Sequence, residues 1–382
     1  MLCTTSWRGS RPCTDDDSAS HRAATETAIT LRRSVRTGDG DDRTEIYLRS
    51  YPELDGLASY AARVEEDGWD GLLFTDTQNL SMDVFAALYV SAMSTSQLKL
   101  GTAVTNLTTR HPAVVASAFA TLHDVSGGRA HIGVGRGDTA LKLLGIRPPS
   151  AEQFQVQLSH LQSYLRGEAV DVDGFPSRLT WLPLEGQSKV PVNVFGSGPR
   201  VVGIGAAQAD MVTVTVGAEL DSVKHAVSTA RDAHAGSGAG ELSPLKVGAF
   251  VVVAAGTNPE ALEVLVRGNA SVSAHFQRNA LSSLDDRDAQ VVRQVSDTYD
   301  TYRHGLVHAA QSDSLPLDFL HRFCVIGTPD ECIDRLNRLI ALGLSHLIVV
   351  GGSRDIDREL RQKSDHLIAM EVLPSLRRRS HG

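Results

Sequence analysis

The chain has 382 residues, 42% of them hydrophobic, and its 45 acidic and 37 basic side chains give a formal charge of −8. That composition is ample for a large core. It offers neither the basic face nor the zinc-finger spacing of a nucleic-acid binder, and no apolar run is long enough to span a bilayer. The four cysteines, Cys3, Cys13, Cys324 and Cys332, follow no metal or disulfide spacing, so reduced thiols, no metal site and a cytoplasmic setting are expected.

Residues 1–43 are set apart by "TDDDSAS" and "RSVRTGDGDDR", rich in Ser, Thr, Asp and Arg and poor in apolar residues. They lack the apolar segment of a secretory signal, and the acidic run Asp15–Asp17 argues against a transit peptide. A disordered polar leader is the expectation. From Thr44 to the end, residues 44–382 read as a single domain in which a short apolar run is followed each time by a longer stretch of helical spacing. The first strand is "TEIYL", followed by a helix with Leu54, Leu57, Ala61 and Val64 on one face and Gly68 closing it. "DGLLFTD", "LKLGTAVTN" and "RAHIGVG" are the next strands. The helix between the last two starts on Pro112, where a missing N–H costs little.

The helix "SAEQFQVQLSHLQSYLRG" follows, then a polar insert near 168–185 that reads as a hairpin. "VPVNVFG", "DMVTVTVG" and "LKVGAFVVVAAG" supply strands five to seven. A long helical insertion follows near 258–322. The helix "TPDECIDRLNRLIALG" carries Ile333, Leu336, Leu339 and Ile340 on one stripe, and "LSHLIVVGG" is the eighth strand. Eight strands alternating with helices form a parallel sheet, either open and doubly wound or closed, and the count favours an α/β fold of the (β/α)8 TIM-barrel type with insertions. Active sites of such barrels lie at the C-terminal strand ends.

Two of those ends are glycine-rich: "GVGRGD" after strand four and "GSGPR" after strand five. Glycine permits close backbone approach and a helix N-terminus presents free N–H groups to anions. Ser197 is a candidate cap or phosphate donor, and Arg136 and Arg200 are candidate charge partners. Tight turns alone would account for one such loop; two at neighbouring tips point to a phosphate or pyrophosphate site. The dinucleotide, P-loop, zincin and nucleophile-elbow patterns are all missing. "VTNLTTRHP" brings Thr105, Asn106, Arg110 and His111 to the same mouth, His111 reading as a turn residue. Asp76, at the tip of strand two, either contacts a ligand and acts as an acid or caps the next helix.

Taken in order, "DGLLFTD … LKLGTAVTNLTTRHPAVVASAFATLHDVSGGRAHIGVGRGD … GSGPR … VIGTPDECIDRL … LGLSHLIVV" resembles the bacterial luciferase-like superfamily, and within it the coenzyme F420-dependent branch. The resemblance covers most of residues 44–375 and is most specific over 98–138. It implies a dimeric barrel holding F420 or FMN at its C-terminal mouth. It further implies Asp76 beside the deazaflavin, a non-prolyl cis peptide at Ala103–Val104 backing the ring, and ring contacts from Thr105 and Asn106. Gly135, Arg136 and Gly137 would lie along the cofactor's side chain, and Gly196, Ser197 and Gly198 would cradle its phosphate. Many relatives carry histidine after that aspartate, where this chain has Thr77, which leaves the proton donor open apart from Asp76 itself.

The expectation is an F420-dependent oxidoreductase acting on a small organic molecule as a homodimer. The alternatives are an FMN-dependent monooxygenase, a non-catalytic flavin-binding relative and a non-redox barrel enzyme for sugar phosphates.

Overall fold

The structure is a computed structural model and describes residues 43–182, 188–238 and 244–378. The expectation for the leader, residues 1–43, lies outside the described residues except at Arg43, which pairs with Asp70 at 2.8 Å. Twelve strands occur among them: β1 (Glu45–Ser50), β2 (Gly71–Phe74), β3 (Lys99–Thr102), β4 (Thr105–Asn106), β5 (Ala130–Gly135), β6 (Val170–Val172), β7 (Phe175–Ser177), β8 (Val192–Gly196), β9 (Met211–Val214), β10 (Lys246–Ala255), β11 (Val325–Gly327) and β12 (His346–Val350). Eight of them pair in parallel in the order β1-β2-β3-β5-β8-β9-β10-β12, and β12 pairs back onto β1. The sheet is therefore closed, a (β/α)8 barrel, and the open doubly wound alternative is excluded.

Alternation along each strand sorts the side chains. Ile46, Leu72, Leu100, Ile132, Val194, Val212, Val251 and Leu347 face outward into the main core under the helices. Tyr47, Leu73, Phe195, Phe250, Val252 and Ile348 face inward. The helices begin where the sequence offers caps. Asp83 accepts from Ala86 N, His111 from Ala113 N beside Pro112, and Ser150 and Thr328 form capping boxes with Gln153 and Glu331. Gly68, at φ +85°, follows the first helix as expected. Leu54 does not join that helix, which begins at Leu57, and is 77% exposed.

The insert forms the hairpin β6–β7, and the 258–322 insertion is helical, with Pro259–Phe276 and Asp286–Asp297 its longer segments. β11, a three-residue strand on the upper end of β10, was not expected, and the expected third strand "LKLGTAVTN" is split into β3 and β4. β4 exists because the chain bulges between β3 and β5. Gly101 pairs with His131 and Thr105 with Val134, so four steps on one side match three on the other. The peptide Ala103–Val104 within that bulge is cis. Cys324 and Cys332 are free and buried, and burial pushes both thiols up to about 12. No described helix is long and apolar enough to cross a membrane.

Candidate active site at the barrel mouth

The C-terminal strand ends enclose a cavity of about 220 Å³. Its apolar lining comes from Phe195 and Phe250, edge to face with centroids 6.5 Å apart, together with Ala103 and Val104 of the bulge. The glycines of "GVGRGD" serve different ends. A Cβ at Gly133 would collide with the Thr102 carbonyl and the Phe195 ring, so this glycine makes room inside the barrel. Gly135 packs against Val104, and Gly137 is the one that needs a left-handed backbone, at φ +85°.

Asp76 faces the cavity and is 4% exposed. Its Oδ2 accepts from Thr105 Oγ1 at 2.6 Å and from Arg110, whose guanidinium also reaches Asp83 at 3.2 Å. Asp76 thus acts as an acceptor that pins the β4 segment. The helix cap considered for it belongs to Asp83. Asn106 Oδ1 accepts the N–H groups of Thr108 and Thr109 at 3.0 and 2.8 Å. That fixes the amide on a residue of the cavity wall.

Arg136 lines the cavity but spends Nε and Nη2 on the Pro149 carbonyl, at 2.9 and 2.7 Å. Gly198 is the N-cap of helix Pro199–Gln208 and makes no side-chain cap bond. Ser197 does not cap that helix: its Oγ donates to the Phe276 carbonyl at 2.6 Å and ties the turn to the insertion. With Pro199 lacking an N–H, the first turn leaves the N–H groups of Arg200 and Val201 without intrahelical acceptors. The Arg200 side chain itself is 69% exposed, pairs with Glu152 and does not line the cavity, which corrects its expected place beside the phosphate. The other sequence-predicted residues, Asp76, Ala103, Val104, Thr105, Asn106, Gly135, Arg136, Gly137, Gly196, Ser197 and Gly198, are brought together on its wall.

The insertion completes the wall with groups the sequence did not single out. Asp138 lies 2.8 Å from Lys142 Nζ and 3.2 Å from both Arg278 Nη2 and His275 Nε2. Burial raises this carboxyl, but His275, Arg278 and Lys142 outweigh burial and hold it well below the usual carboxylate range. The His275 ring stacks on Tyr299 at 3.8 Å. Tyr299 Oη and Thr139 Oγ1 lie 2.7 and 3.0 Å from His304 Nδ1. Burial first, then the nearby Arg49 charge, push His304 down to about 3, so the imidazole is neutral at neutral pH. Arg49, at the end of β1, also lines the cavity. Strand alternation alone puts Glu45, Tyr47 and Arg49 on one face, a signal that becomes useful once that face is known to be the interior.

Architecture and cavity make this an α/β barrel of the kind that carries its ligand at the C-terminal mouth. Comparison with known proteins narrows the class: the luciferase-like monooxygenase family profile matches residues 31–346, and the chain belongs to that family. It is 27% identical over 344 residues to the 5,10-methylenetetrahydromethanopterin reductase of Methanolobus tindarius, covering 83% of this chain and 95% of the relative. Among solved structures, the coenzyme F420-dependent tetrahydromethanopterin reductase of Methanopyrus kandleri superposes with a TM-score of 0.68 at 20% identity, over 87% of this chain and 99% of the other. The FMN-bound oxygenating component of 3,6-diketocamphane monooxygenase from Pseudomonas putida superposes with a TM-score of 0.61 at 16% identity, over 87% and 98%.

Proposed function

We propose that the protein is an F420-dependent oxidoreductase acting on a small organic substrate at the barrel mouth. The observation that carries the reading is the bulge. The Ala103 and Val104 side of the bulge, the Phe195 and Phe250 rings and the Asn106 amide together offer an apolar surface with a polar edge, which suits a flat heterocycle with carbonyl groups. The first turn after Gly198 suits a phosphate, and no carboxylate on the wall stands unpaired against it: Asp76 is held by Arg110 and Asp138 by Lys142 and Arg278. The relative with 27% identity, a methylenetetrahydromethanopterin reductase, supports the F420 branch.

A bound deazaflavin supplies hydride transfer; the protein supplies position and electrostatics. Ala103 and Val104 would back the ring and Asn106 would face its polar edge, with Asp76 keeping both in place through Thr105 and Arg110. We further infer a cytoplasmic homodimer. The helix Val84–Ser94 carries no charged residue and leaves Val90 and Met93 exposed, which supports a covered face.

Titrating the purified protein with F420 and with FMN, followed by fluorescence, tests the cofactor assignment. Micromolar F420 binding and indifference to FMN are expected. The reverse order would favour an FMN-dependent monooxygenase, and binding of neither would reject both.

A further inference from the structure

Arg49 is buried at 7% exposure on the cavity wall. Its Nε is inaccessible and has no hydrogen-bond partner, and the side chain makes no ion pair among the described residues. Its guanidinium carbon lies over the Tyr51 ring, 4.1 Å from the centroid, and the Tyr51 hydroxyl is likewise buried without a partner. Other arginines close by are spoken for: Arg110 by Asp76 and Asp83, Arg136 by the Pro149 carbonyl, Arg278 by Asp138, and Arg354 by the carbonyls of His304 and Leu80. Burying a cation without a counter-charge is costly. Stacking on tyrosine orients the guanidinium plane but leaves its N–H edge unused.

The position excludes the phosphate turn as its partner. In the closed order β1-β2-β3-β5-β8-β9-β10-β12, β1 and β8 are four strands apart in either direction, so Arg49 and Gly196–Gly198 stand on opposite walls. On the same wall stand His304 and, bonded to it, Tyr299, neither of which carries a negative charge, and the carboxylate that shares this wall, Asp138, is already held by Lys142, His275 and Arg278. We propose that Arg49 is a substrate-binding residue, taking a carboxylate of the substrate in the two-pronged geometry that suits a planar guanidinium. The substrate is then a small organic acid held on the β1 side of the mouth. This rests on the oxidoreductase reading for what happens to that acid, but not for its binding.

The test is calorimetric titration of the protein, with and without F420, using benzoate, acetate and inorganic phosphate, and benzamide as the uncharged counterpart of benzoate. Benzoate should bind at least tenfold more tightly than benzamide and more tightly than phosphate. Arg49→Gln should remove at least that tenfold preference, Arg49→Lys should keep part of it, and F420 affinity should change less than twofold in either variant. Because the charge lacks a partner in the ligand-free protein, Arg49→Gln should unfold at the same temperature as the wild type or higher. Equal binding of benzoate and benzamide, a preference for phosphate, no binding of any carboxylate, or a preference that survives Arg49→Gln would each overturn the proposal. A failure of F420 to bind would instead remove the cofactor assignment, leaving the carboxylate result in cofactor-free protein to be judged separately.

Discussion

The two ends of the barrel interior are built from similar polar residues to opposite effect. In the lower half, Tyr47 donates to Glu45, Glu45 pairs with Lys99, and His346 Nε2 meets Thr213 Oγ1 at 2.8 Å with Asn193 close by at 3.3 Å. Rings fill the remaining space, and a Cβ at Gly71 or Gly248 would strike Tyr47 or His346. His131 Nε2 is the exception there, buried without a partner. In the upper half, Arg49 Nε and the Tyr51 hydroxyl are buried polar groups that no protein group answers. Satisfied polar groups specify a packed interior, and unanswered ones on a cavity wall mark where a ligand belongs.

The contrast can be attacked first where packing is tightest. Gly133→Val drives a side chain into a backbone carbonyl that cannot move aside, so it should leave little folded protein, read as loss of soluble yield. Normal yield would mean the interior is looser than described. Next comes the pair that anchors the mouth. Arg110→Ala strands the buried Asp76 carboxylate and should cost about 3 kcal/mol in urea unfolding, much of it recovered by adding Asp76→Asn. A loss that Asp76→Asn does not relieve would show that Arg110 acts through something other than the pair.

Acid comes third. Burial, the main cause in each case, pushes His131 down to about 4 and both His346 and His304 to about 3, whereas an unfolded histidine takes up a proton near 6.5. The unfolded chain therefore binds more protons between these values. Stability should fall as pH drops below about 6.5, by up to about 1.4 kcal/mol per histidine per pH unit, until the folded-state values are reached. The depressed Asp138 adds its loss lower, below the ordinary carboxylate value of 3.8. Melting temperature followed from pH 7 to pH 5 should decline, and more gently in His346→Gln; a flat profile would contradict the burial of neutral imidazoles. Smaller still, Ser197→Asp should weaken cofactor binding by setting a charge beside the phosphate turn. Arg200→Ala should leave cofactor binding unaltered and stability within about 0.5 kcal/mol, because its side chain is exposed. Equal effects from the two would mean the turn after β8 does not hold an anion.

The pattern of the chain carried the architecture far. Each of the eight apolar runs became a barrel strand, because parallel strands covered by helices must be apolar on the outside. Three-residue β11 and two-residue β4 are too short for any periodicity to register. At the mouth, the glycine turns and the Ala103–Asn106 segment were legible because they are local. Arg49, His304, Arg278 and the Phe195–Phe250 pair were not, since only closure of the barrel and the fold-back of the insertion bring them to one wall. Arg200 misled for the same reason: its neighbour Gly198 faces the turn, while its own side chain leaves toward Glu152.

A crystal structure of the protein grown with oxidised F420 tests the central claim most directly. The deazaflavin ring is expected against Ala103–Val104 with the Asn106 amide on its polar edge, the phosphate at Gly196–Gly198, and Arg49 facing open space on the far side of the ring. A ring seated elsewhere, or a cofactor phosphate bound by Arg49, would contradict it.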